Sequence, residues 1–220
     1  MLLSMNVIEL FSSIDGEGKR QGFLTTFLRL HDCNIRCSYC DTLYSYGPES
    51  TFESMSVQAV ADAIEQLENH RITITGGEPL LQEPAIIELI DELTRRNARY
   101  DFNIETNGTI IPSFHRDNVW FTYDYKTPSS LAEEAMNLDI FKVATPADII
   151  KVVVGSMQDL DRMNEILKTY PTDAQIFVSP VWGNIEGATI IEYMKAHNWQ
   201  NVRFQLQIHK FIWDPDAKGV

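Results

Sequence analysis

Short β-type runs alternate with amphipathic helical stretches along the whole chain, and no other feature narrows the possible folds as far. FLTTFLRL (23–30), RITIT (71–75), FNIET (102–106), VWFTYD (119–124), IIKVVV (149–154), QIFVSP (175–180) and VRFQLQ (202–207) read as strands. Between them, SVQAVADAIEQLE shows apolar spacing of three and four, with Ser56 as its N-cap. Further helices are expected over about 84–96 and 188–197, and one opening at Ser156 with Asp159 three residues on. Repeated strand–helix units imply parallel strands joined by right-handed crossovers, so the fold class is α/β. The 220 residues fit one domain, expected to run over 1–220. Ligands of such sheets bind beyond the carboxyl ends of the strands. The cysteine run, GGEP, ETNG and DYK all follow predicted strands, so they are expected to converge on one face.

Composition excludes several partners. Lys and Arg number 18 against 31 Asp and Glu, a net charge of -13, and the basic residues are scattered. The one close group, Arg95, Arg96 and Arg99, ends a predicted helix, where the helix dipole accounts for it. A phosphate-neutralising surface needs clustered cations, so no nucleic-acid partner is expected. Apolar runs such as IIKVVV are far too short for a bilayer. The opening MLLSMNVIEL has no basic n-region or cleavage site, so a cytoplasmic protein with no membrane partner and a small-molecule substrate is expected.

All three cysteines of the chain lie in HDCNIRCSYCDT, spaced C-x3-C-x2-C: Cys33, Cys37 and Cys40. An odd, tightly spaced set points to a metal rather than to disulfides. Thiolates suit zinc, copper(I) and iron–sulfur clusters. A structural zinc site wants four protein ligands, and His31 is the only local candidate for the fourth. An electron-transfer 4Fe-4S cluster wants four cysteines. Three thiolates on a 4Fe-4S cluster leave one iron open to a substrate or cofactor. Three unrelated buried thiols is the bland alternative.

This loop resembles the signature of the radical S-adenosylmethionine superfamily, in which an aromatic residue, here Tyr39, precedes the last cysteine. The resemblance implies a cluster whose open iron chelates S-adenosylmethionine and whose reduction yields a 5′-deoxyadenosyl radical. ITITGGEPLL adds to it: the superfamily's GGEP contacts the methionine amino group, which assigns Gly76, Gly77 and Glu78 to the cofactor. Alone, GGEP reads as well as a strand-to-helix turn.

Three further segments resemble one family, 7-carboxy-7-deazaguanine synthase of queuosine and deazapurine precursor synthesis. They are FSSIDGEGKRQG followed by TFLRLHDCNIRC, CDT with Thr42, and LQIHKFIWDPDAKGV. The family implies a single-domain partial β/α barrel with about six mostly parallel strands, usually a homodimer. It implies a lyase that rearranges 6-carboxy-5,6,7,8-tetrahydropterin to 7-carboxy-7-deazaguanine with release of ammonia. Hydrogen abstraction occurs at C6, and S-adenosylmethionine is regenerated. An external reductant of flavodoxin or ferredoxin type supplies the electron, and Mg2+, held by Thr42, assists. Without the family, Thr42 reads as a loop residue bonding local backbone.

Site residues carry over by position. Ile14, Asp15, Gly16 and Glu17 form an N-terminal substrate loop, with Glu17 accepting from the pterin's N–H groups. Arg29, alone in the apolar FLRL, suits a carboxylate. Thr75 and the α-carboxylate of Val220 complete the substrate contacts, the tail acting as a cap. For S-adenosylmethionine the family implies Tyr39, Cys40 and Asp41; Asn107; Asp124, Tyr125 and Lys126; and Ser179, Pro180, Val181 and Trp182. The chain departs from many relatives at Asp15, where they carry Gln, and at Asp124-Tyr125, where they carry Ser-Pro. A glycyl-radical activating enzyme, which shares the cysteine loop, and a non-enzymatic zinc module are the competing readings.

Overall fold

The computed structural model describes residues 3–215 and 217–220; Met1, Leu2 and Asp216, which fall within the expected 1–220 domain and its tail, lie outside the described residues. Among the described residues nine strands form one open sheet in the order β3-β1-β2-β4-β5-β6-β7-β8-β9. In chain order these are β1 (Ser4–Ile14), β2 (Leu24–Leu30), β3 (Glu53–Ser56), β4 (Arg71–Gly76), β5 (Asp101–Thr106), β6 (Val119–Lys126), β7 (Ile149–Val154), β8 (Gln175–Pro180) and β9 (Val202–Phe204). From β2 through β9 every neighbouring pair is parallel; β1 runs antiparallel to both β2 and β3. Helices α1 (Val57–Gln66), α2 (Glu83–Arg96), α4 (Met157–Thr169) and α5 (Gly187–Ala196) provide crossovers, with short α3 (Ile140–Val143) and α6 (His209–Ile212) besides. The α/β class and the largely parallel, unclosed sheet hold.

Side-chain alternation decides what each face of the sheet does. In β4 to β8 the residues Ile72, Ile74, Phe102, Ile104, Phe121, Tyr123, Ile150, Val152, Ile176 and Val178 are buried and share one cluster with helix residues. From α1 that cluster takes Val60, Ala61 and Ile64, and from α2 Ile86, Leu89 and Leu93. The opposite register is largely polar: Thr73, Thr75, Asn103, Glu105, Thr122, Asp124, Lys126, Lys151 and Ser179, with Trp120, Ile149, Val153 and Phe177 among them. Strands buried on both faces are ordinarily apolar throughout. A polar second face therefore marks a curled sheet wrapped around a site.

Two helix starts follow the expected capping. Ser56 Oγ accepts from the Ala59 N–H and Ser156 Oγ from the Asp159 N–H, both at 3.2 Å. Each contributes about 1 kcal/mol.

The count of about six strands is low. β1 and β3 are additional, and Ile14 closes β1 instead of belonging to the loop. A register shift between Val7 and Glu9 re-aims β1, bringing Glu9 opposite Arg29 of β2. β6 runs on through Tyr125 and Lys126, so DYK ends a strand rather than following it. β9 stops at Phe204; the Gln205 N–H still donates to the Val178 carbonyl of β8 at 2.9 Å, while its side chain bridges the open edge. Its side chain accepts from the Gly18 N–H at 2.8 Å and donates to the Gly18 carbonyl at 2.9 Å. The Ile208 N–H donates to the Gly16 carbonyl at 3.2 Å. These bonds lash the loop after β1 to the segment after β9 across the gap a complete barrel would fill.

Candidate active site

One cleft opens at the carboxyl ends of the parallel strands. It is lined by the cysteine loop, the 15–17 loop, inward residues of β1, β2 and β4 to β7, and from the tail Asp214, Pro215, Ala217, Gly219 and Val220. Of the residues singled out from sequence, it brings together Ile14, Asp15, Gly16, Glu17, Arg29, Cys33, Cys37, Tyr39, Cys40, Asp41 and Thr42. It also takes in Thr75, Gly76, Gly77, Asn107, Asp124, Lys126, Val181, Trp182 and Val220. Glu78, Tyr125, Ser179 and Pro180 are not among its walls.

The GGE segment shapes the cysteine loop. A Cβ on Gly76 would strike the Leu30 backbone, and one on Gly77 would strike the Asp32 carbonyl and Cys33. With both absent, the Gly77 and Glu78 N–H groups donate to the Leu30 and Asp32 carbonyls at 3.2 and 2.7 Å. Glu78 is fully buried. Its carboxylate accepts from Leu80 N–H, Thr106 Oγ1 and Asn107 N–H at 2.7–3.0 Å. Asn107 in turn donates to Asn34 Oδ1 at 2.8 Å and lies 3.7 Å from Cys33 Sγ. GGEP and ETNG thus brace the loop from beneath.

All three thiols are free and half-buried. Burial pushes Cys33 up and Cys37 up to about 11, so the metal-free chain keeps these protons and must release them on loading. Among the described residues no three Cys, His, Asp or Glu side chains are gathered closely enough to hold a single metal ion. His31 packs against the Phe52 ring, tilted with centroids 4.3 Å apart, and does not line the cleft, which removes the fourth zinc ligand. Three spread thiols facing one cleft fit a cluster, where each thiolate takes a different iron. Thr42 Oγ1 sits 3.7 Å from Cys40 Sγ.

Charges alternate along the inward face. Lys126 Nζ lies 3.0 Å from Asp124, Lys151 Nζ 3.4 Å from Asp124 and 3.2 Å from Glu17. Burial opposes ionisation of Asp124, but Lys126 and Lys151 outweigh it and hold the carboxyl below its ordinary range. Burial likewise works against the Lys151 charge, and Glu17, Asp124 and Glu105 together raise it well above the ordinary lysine value. Glu105 is pushed up by burial and accepts from Thr75 Oγ1 at 3.1 Å. Asp15 is raised to about 7, first by burial and then by Glu105, while Arg20 and the Thr73 hydroxyl act the other way. Glu17 also receives Ser179 Oγ and Gln207 Nε2, each at 3.4 Å. Arg29 Nε pairs with Glu9 at 2.6 Å, and Tyr44 donates to the same oxygen at 2.8 Å.

Tyr125 faces the helical layer, its hydroxyl on Glu133 at 2.8 Å, so only Asp124 and Lys126 of DYK reach the cleft by side chain. Pro180 ends β8 opposite Val154. The tail packs down: Lys210 pairs with Asp41 at 3.3 Å, Lys218 sits over the Tyr44 ring at 4.3 Å, and His209 fills the space a Cβ on Gly16 would need. Sequence reasoning missed Glu105, Lys151 and His209. The signal for Lys151 was available, since a lone charge in IIKVVV is the same mark that singles out Arg29 in FLRL.

Residues 29–153 match the Radical SAM superfamily model, and the chain is a radical S-adenosylmethionine enzyme, which implies a 4Fe-4S cluster and S-adenosylmethionine as cofactors. Full-length relatives narrow this. The chain is 36% identical to the 7-carboxy-7-deazaguanine synthase of Clostridium acetobutylicum, over 99% of this chain and 100% of that one. It is 37% identical to that of Methanospirillum hungatei, over 96% and 86%, and 35% identical to that of Leptospira interrogans, over 99% of each. It belongs to the 7-carboxy-7-deazaguanine synthase family. The fold matches the crystal structure of QueE from Escherichia coli, with a TM-score of 0.69 at 24% identity over 92% of this chain and 93% of that one. Membership sets aside both the glycyl-radical activating enzyme and the zinc module. No helix among the described residues is long and apolar enough to cross a membrane.

Proposed function

We propose that the chain converts 6-carboxy-5,6,7,8-tetrahydropterin to 7-carboxy-7-deazaguanine by radical ring contraction, releasing ammonia, in deazapurine and queuosine precursor synthesis. The observation that carries this reading is a single cleft joining the three-cysteine loop to an acidic, arginine-bearing far end beneath the C-terminal tail. When bound, the cluster and S-adenosylmethionine supply a 5′-deoxyadenosyl radical; the chain's own residues bind, orient and enclose.

Cys33, Cys37 and Cys40 hold the cluster. Gly76 and Gly77 present backbone to S-adenosylmethionine, with Tyr39, Asp41, Asn107, Asp124, Lys126 and the 179–182 segment around it. At the far end Glu17 accepts from pterin N–H groups, with Asp15 and Thr75 beside it. Arg29 makes no hydrogen bond among the described residues beyond Glu9, which leaves its terminal nitrogens for the substrate carboxylate. The Val220 carboxylate caps the substrate. Mg2+ is held through Thr42 and substrate oxygens, a ligand set hard enough for it. The chain works as one domain and as a cytoplasmic homodimer, reduced by a flavodoxin- or ferredoxin-type donor.

The test is anaerobic turnover of iron-reconstituted protein with S-adenosylmethionine, reductant, Mg2+ and the carboxytetrahydropterin, products read by mass. Carboxydeazaguanine is expected. Cleavage of S-adenosylmethionine with the pterin left intact would remove the substrate assignment.

A further inference from the structure

Lys151 occupies a position that none of the assigned contacts uses. Its Nζ lies between two carboxylates from different parts of the fold, Glu17 of the loop after β1 and Asp124 of β6. Glu17 belongs to the half of the cleft closed by the tail, where Gln207 meets it. Asp124 belongs to the cysteine half: it pairs with Lys126, whose ammonium lies 5.9 Å from the Tyr39 ring. Asp124 Oδ1 is buried without a hydrogen-bond partner among the described residues, an acceptor left over for a ligand hydroxyl. One ammonium, its side chain 10% exposed, therefore pairs with a carboxylate of each half-site.

We infer that Lys151 is a positioning residue that couples the two ligands, so that S-adenosylmethionine at Asp124 and the pterin at Glu17 each tighten the other's binding. The inference rests on the ligand assignments proposed above. A lysine stem is flexible, and its ammonium is a point charge that two carboxylates share. The first ligand to hydrogen-bond its own carboxylate fixes that carboxylate and, through the ion pair, the ammonium. The second ligand then meets a partner already ordered and pays less to bind. The coupling is reciprocal by thermodynamic necessity.

The experiment is anaerobic calorimetry on iron-reconstituted protein. S-adenosylmethionine is titrated with and without 6-carboxy-5,6,7,8-tetrahydropterin, no reductant being present. For the unaltered chain the pterin should tighten S-adenosylmethionine about tenfold, within the usual span of coupling. Lys151→Met should still bind each ligand alone, more weakly, while the ratio falls to about one; Lys151→Arg should restore most of it. A merely structural role would weaken binding without touching the ratio. Should Lys151→Met fail to fold, Glu17→Gln cuts the same link from the other end and should also abolish the ratio. Both ligands binding the unaltered chain with no mutual effect, or Lys151→Met keeping the full ratio, overturns the coupling alone. A pterin that does not bind the unaltered chain overturns the substrate assignment and the coupling with it.

Discussion

Asp15 is 2% exposed, and its proton is held to about pH 7 by burial and by Glu105. In the unfolded chain the same carboxyl titrates near 3.8. The folded state therefore binds this proton more tightly, and the sign follows: stability is intact below pH 3.8 and is lost progressively as pH rises towards 7. Asp15→Asn removes the penalty. It should stabilise the metal-free protein by roughly 2–4 kcal/mol at pH 8 and by less than about 1 kcal/mol at pH 4, in urea unfolding. A pH-independent difference would show that Asp15 is not the titrating group. Gly77 makes the opposite point about backbone. Gly77→Ala forces the Asp32 carbonyl and Cys33 aside. The expected outcome is iron content at a small fraction of the parent's with the circular dichroism spectrum kept; full iron loading would refute the bracing role of GGEP. At this scale the cysteines, GGEP and Arg29 were legible because each breaks the composition around it. Glu105 and His209 carry no such mark: a Glu near the end of a strand and a His in a tail come to line the cleft only through the fold.

Among elements, the parallel strands were readable as short runs rich in β-branched and aromatic residues, and β7 and β8 fall at their predicted bounds. The capped helices α1 and α4 were readable for a local reason, a serine whose hydroxyl meets an orphan N–H. β1 was not. Its register shift breaks the period of two, Phe11 lines the cleft, and Glu9 pairs with Arg29 instead of joining a core. β9 looked longer than it is because RFQLQ alternates, while Gln205 is taken by Gly18 across the seam. That seam positions Glu17. Gln205→Ala removes both Gly18 bonds, so amide exchange over residues 15–22 should quicken about tenfold. KM for the pterin should rise several-fold with kcat little changed. Unaltered exchange there would mean the seam is held by other contacts, such as the Ile208 N–H on Gly16.

For the molecule as a whole, a sheet of seven parallel strands is left open, and the gap is closed by a loop and a tail instead of further β/α units. The consequence is a cleft with the cysteine loop at one end and charged side chains from β2 and β5 to β7 along its wall. The polar face of that wall is the strongest functional statement in the fold, since Arg29, Lys126 and Lys151 each meet a carboxylate there. The arrangement predicts that the reacting carbon of the pterin lies within reach of the 5′ carbon of S-adenosylmethionine. The measurement that bears on this most directly is turnover of pterin deuterated at C6, with the recovered S-adenosylmethionine examined by mass spectrometry. Deuterium at the 5′ carbon of recovered S-adenosylmethionine is the expected result. Carboxydeazaguanine formed with no label in S-adenosylmethionine would contradict it.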